Sequence, residues 1–109
     1  MTSKSEKGKR VTKYLTGRSA IPNLRYEAKS QEIEAPYPYS LTVTTDAAAW
    51  RFFHYVKELP HDKIAAVIRY DRYIDSVDEA VVAMKLEAFS TLLAAHYESI
   101  SDRINTERK

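Results

Sequence analysis

A chain of 109 residues, 44% hydrophobic and 29% charged, can form one globular domain with a modest core. It has no cysteine, which excludes a disulfide framework, thiolate metal sites and a cysteine nucleophile, and fits a reducing cytoplasm. The formal net charge of +2 hides a split: residues 1–30 carry eight Lys/Arg against two acidic residues, and residues 31–109 carry nine against thirteen.

No apolar run approaches the roughly 20 residues of a membrane span. The start MTSKSEKGKR is polar and basic, without the apolar core of a secretory signal. Residues 1–36 read as a basic, extended arm. Its first 13 residues have no hydrophobic period, and residues 14–36 space Tyr14, Leu15, Ile21, Leu24, Tyr26 and Ile33 irregularly around Gly17 and Pro22. Residues 37–109 read as the folded domain.

Ala35-Pro36-Tyr37-Pro38-Tyr39 is extended because each proline fixes its own φ and restrains its predecessor. In SLTVTT, Leu41 and Val43 alternate with threonines, the pattern of a short half-buried strand. Thr45 or Asp46 can cap a helix over residues 46–59. Its stripe is Ala49, Phe52, Phe53, Val56 and Leu59, widened by Trp50 and Tyr55. Residues 62–74 are ambiguous. Pro60 and Asp62 look like a helix start and favour a helix. VIRYDRYI is rich in β-branched and aromatic residues and would suit a strand paired with SLTVTT through a right-handed crossover. Ser76-Val77-Asp78-Glu79 is a capping box that predicts a helix to about residue 105. Val82, Leu86, Phe89, Leu93, His96 and Ile100 follow 4-3-4-3-4 spacing on it, a coiled-coil-like seam. The expected class is mainly α, or α+β: a small helical domain with one or two short strands, a long C-terminal helix and the basic arm.

Both long helices carry apolar arcs wider than one neighbour can cover, so each needs a second contact, from the arm or from a partner. The candidate partner interface is Trp50, Arg69, Tyr70, Arg72, Tyr73, Phe89, Leu93 and His96, in which tyrosine and arginine are residue types that interfaces favour. Lys4, Lys7, Lys9, Arg10, Lys13 and Arg18 are candidate contacts to an acidic protein surface or a nucleic acid. His54, His61 and His96 form no metal-ligand spacing, no carboxylate pair sits on one helix face, and the two glycines, Gly8 and Gly17, make no phosphate loop. No cofactor, metal or catalytic residue is expected.

The order of a short alternating strand (SLTVTT), a helix, a break and a segment bearing Ile64, Val67 and Ile68 resembles a ribbon-helix-helix over about residues 40–74. That resemblance implies a dimer inserting a paired ribbon into the DNA major groove. Pro60 stands where the family usually has a glycine, and Thr42 and Thr44 stand where its ribbon often carries Arg, Lys, Asn or Gln. The leading expectation is a non-catalytic, cytoplasmic interaction protein that docks on itself or on a larger protein. A ribbon-helix-helix-like DNA-binding regulator is the alternative.

Overall fold

A computed structural model describes residues 4–19, 21 and 23–107, with side chains described between residues 5 and 101. The elements are α1 (Lys4–Ser19), β1 (Arg25–Glu27), β2 (Glu32–Glu34), β3 (Tyr39–Thr44), α2 (Ala49–Lys57), β4 (Ile64–Arg69), a 3-10 turn (Val77–Glu79), β5 (Val81–Ala83) and α3 (Leu86–Glu107). The five strands form one sheet in the order β1-β2-β3-β4-β5. β3 and β4 run parallel in the register Leu41↔Ala66, Val43↔Ile68, with α2 as their crossover, and the other three pairings are antiparallel. The fold is therefore α+β around a mixed sheet, not mainly α.

Strand alternation sorts the core into two layers. Ile33, Val43, Ile68 and Tyr70 point to one face, where Val11 of α1 joins them, with Leu15 and Tyr26 packed alongside. Ala65 and Val67 point to the other, against Phe52 and Leu59 from α2 and the residues after it. The sheet lies between α1 and α2.

Four sequence expectations are corrected. First, residues 4–36 are not an extended arm. Residues 4–19 are helical, and β1 and β2 extend the sheet, so the sheet runs from Arg25 to Ala83 across the expected boundary at residue 36. The side of α1 turned to the sheet carries Gly8, Val11, Thr12 and Leu15, which keep helical spacing. Only two of these four are apolar, so the period is faint in sequence. The Thr12 hydroxyl donates to the Gly8 carbonyl at 2.8 Å, which lets a polar residue sit on the buried face.

Second, residues 64–69 are strand rather than helix, because the β-branched Val67 and Ile68 fill the centre of a parallel pair buried on both faces. This also removes the structural premise of the ribbon-helix-helix resemblance. SLTVTT lies in the middle of the sheet, and the segment after α2 is its parallel neighbour.

Third, the expected capping box is not formed, since Ser76 makes no side-chain cap bond to the backbone, and its residues open only the 3-10 turn. The Ser76 hydroxyl donates to Glu79 Oε1 at 2.7 Å, but Val81-Val82-Ala83 then pairs with β4, and the long helix starts at Leu86. Fourth, α2 begins at Ala49 with Ala48 at its N-cap, and neither Thr45 nor Asp46 caps it. Asp46 acts earlier, accepting the Ala48 N–H at 2.9 Å and pairing with Arg51 at 3.0 Å.

Candidate interaction surfaces

The parallel β3–α2–β4 unit divides the predicted interface between two regions. Trp50 stands at the start of α2, and Arg69, Tyr70, Arg72 and Tyr73 stand at and just beyond the end of β4, so all five lie at the carboxyl end of the parallel strands. Phe89, Leu93 and His96 lie on α3, which starts at the opposite end, beside Leu59 and His61.

At the carboxyl end, two of the five residues are structural. Tyr70 is only 3% exposed, in the core, with the Lys7 ammonium 5.1 Å from its ring centre. Arg69 is a tie: its Nε donates to Asp71 Oδ2 at 2.6 Å, its Nη2 donates to the Ala47 carbonyl at 2.6 Å, and its guanidinium lies over the Phe52 ring. Asp71 is buried, and its Oδ1 accepts the Tyr73 N–H at 2.8 Å. The loops after β3 and β4 are thereby joined. Trp50, Arg72 and Tyr73 remain outside, exposed, with Arg51 over the Trp50 ring and Arg72 over the Tyr73 ring.

Contacts in the first turns anchor α3. Lys85 donates to the Leu59 carbonyl at 3.0 Å and lies 3.3 Å from His61 Nε2, while His61 Nδ1 faces Glu87 at 3.7 Å. Ala88 and Leu92 are half-buried, and every residue from Leu93 to Ile100 is exposed. Leu86, Phe89, Leu93, Tyr97 and Ile100 form an exposed apolar stripe, with His96 on the same side. The expected seam is present from Leu86 onward, but Val82 belongs to β5. No family model, curated protein or solved structure matches this chain.

Beside the stripe, Leu15, Leu24, Leu41, Ile64, Val82 and Leu92 help to line an apolar cavity of about 210 Å³ between α1, the sheet and α3. On α1, Lys9, Arg10, Lys13 and Arg18 are exposed, and the Arg18 guanidinium lies over Tyr14. The Lys4 side chain lies outside the described ones. Near the C-terminal end of α1, the Asp78 carboxyl is held below its ordinary range by the Ser76 hydroxyl, which it shares with Glu79, by its own backbone N–H and by the Arg18 charge.

Among the described residues, no three His, Asp or Glu side chains are grouped to hold a metal ion, and no helix is long and apolar enough to cross a membrane. Sequence reasoning missed the Lys85–His61–Glu87 contact and the exposure of Tyr97 and Phe53. Tyr97 could have been found, since it follows Leu93 by four positions on one helix face. Phe53 could not, because α2 turns Phe52 and Val56 inward and leaves Phe53 on the far side.

Proposed function

We propose that this chain is a non-catalytic, cytoplasmic interaction protein. Its α3 docks on an apolar helix surface, and the basic face of α1 contacts an acidic protein surface or a nucleic acid. The observation that carries the reading is the exposed stripe of α3. Five large apolar side chains with helical spacing stand in solvent on a helix whose described residues from Leu93 to Ile100 are all exposed. An apolar patch of this kind marks an interaction site in a soluble protein. The absence of cysteine supports the compartment.

Affinity capture from the native host tests the reading, with Leu93→Asp as the control. The wild type should enrich proteins that a folded Leu93→Asp variant loses, and equal recovery by both would sink it. Binding to random duplex DNA decides the target of α1. A salt-dependent affinity whose slope falls on replacing Lys9, Arg10 and Lys13 by Gln identifies phosphate, and no binding identifies protein.

A further inference from the structure

Among the described residues, the exposed large apolar side chains of α3 are symmetric about Leu93. Leu86 and Ile100 lie seven positions to either side, and Phe89 and Tyr97 lie four positions to either side. When two copies of such a helix pair antiparallel across a two-fold axis at Leu93, Leu86 of each meets Ile100 of the other. Phe89 likewise meets Tyr97, and Leu93 meets itself. Aliphatic faces aliphatic and aromatic faces aromatic. An isologous interface needs this self-complementarity, and an unrelated partner would not require it.

Charge and area agree with that pairing. At about 100° per residue, Glu87 falls about 120° and Glu98 about 140° from the centre of the stripe, so pairing brings neither of these carboxylates into the seam. Leu86 is 77% exposed, Tyr97 72%, Leu93 53%, Phe89 45% and Ile100 40%. At roughly 200 Å² for a large side chain, the stripe offers roughly 500–600 Å² per copy, or about 1,000–1,200 Å² for two, the size at which specific interfaces begin.

We infer that α3 pairs with α3 of a second copy of this chain, antiparallel and centred on Leu93. This rests on the reading of α3 as a docking helix and names its occupant. The two bodies then sit at opposite ends of the helix pair.

A chain without cysteine lets single cysteines report the arrangement. Light scattering should give twice the chain mass. Leu93→Asp, which acts twice at the axis, should weaken the dimer by more than about 30-fold while a retained cooperative urea transition shows that the body is still folded. Under mild oxidation a mixture of Leu86→Cys and Ile100→Cys chains, one of them tagged, should give the mixed covalent dimer, and Ile100→Cys alone should give none. A monomeric mass at every concentration overturns the inference, as does cross-linking of Ile100→Cys to itself without the mixed product. If the monomer still captures host proteins that Leu93→Asp loses, only the second copy is wrong. If that capture also fails, the docking reading falls with it.

Discussion

Gly8 of α1 lies so close to the ring of Tyr26 in β1 that a β-carbon at position 8 would fall inside the ring's van der Waals envelope. The missing side chain sets how near the helix comes to the sheet. Gly8→Ala should destabilise the fold by about 1–3 kcal/mol through overpacking, although alanine is the better helix former. In a Tyr26→Ala background the sign should reverse, with alanine gaining up to about 1 kcal/mol. Urea midpoints of the four proteins form the cycle. A gain in both backgrounds would show that the ring moves aside freely.

The same contact gives an alkaline limit. Burial pushes the Tyr26 hydroxyl above its ordinary value of 10.0. A raised pKa in the folded state favours the neutral phenol, so its contribution is complete below about pH 10 and is lost as pH rises beyond that. Tyr26→Phe should flatten part of the fall in urea midpoint between about pH 9 and pH 11. Parallel pH curves for the two proteins would remove Tyr26 as its source.

Arg69, Asp71 and Ala47 join the ends of β3 and β4. Asp71→Ala should cost about 2–4 kcal/mol, because it strips the half-buried Arg69 of its carboxylate and leaves the Tyr73 N–H without an acceptor. Asp71→Asn keeps an acceptor for that N–H and should cost clearly less. Equal losses for the two in denaturant titrations would mean that the charge, not the Tyr73 bond, holds the loop.

Gln31 ends the β1–β2 turn at φ 57°, in the left-handed region, and its carbonyl accepts the Val43 N–H at 2.8 Å. Glycine adopts that conformation without the β-carbon penalty of about 1–2 kcal/mol, less the chain entropy it adds to the unfolded state. Gln31→Gly should raise stability by about 0.5–1 kcal/mol, a rise of a few degrees in Tm by calorimetry. A lower Tm would show that the glutamine side chain contributes more than its backbone costs.

Legibility followed the strength of the periodic signal. SLTVTT as strand, the helix expected over residues 46–59 and the seam expected from Val82 all rested on clear alternation or helical spacing; the strand is present, the helix over Ala49–Lys57, and the seam from Leu86. α1 was illegible because Gly8 and Thr12 occupy half of its buried positions. β4 was ambiguous because Ile64, Val67 and Ile68 satisfy a helix period and a doubly buried strand alike, and only the partner β3 decides. The capping-box pattern at Ser76–Glu79 misled, because Ser76 makes no side-chain cap bond to the backbone and the helix starts only at Leu86. Val81 and Val82 instead complete the sheet edge, a tertiary demand that local spacing does not reveal. Of the candidate interface residues, Phe89, Leu93 and His96 are exposed on α3, whereas Arg69 and Tyr70 have the composition of an interface but serve the interior.

The free half of α3 also has a thermodynamic consequence. Beyond Leu92 only about 15 residues of helix remain, and those from Leu93 to Ile100 are all exposed. A segment of that length is marginally stable in isolation. Its ordering is therefore linked to occupancy, and part of the contact energy with any partner goes into restraining the backbone. Affinity then becomes tunable from positions that touch nothing. Ser99→Ala, which raises helix propensity, should tighten binding by a fewfold without adding a contact, and Ser99→Gly should loosen it. The helicity of this segment measured by circular dichroism should rise with protein concentration if its partner is its own copy, and stay level if it is not.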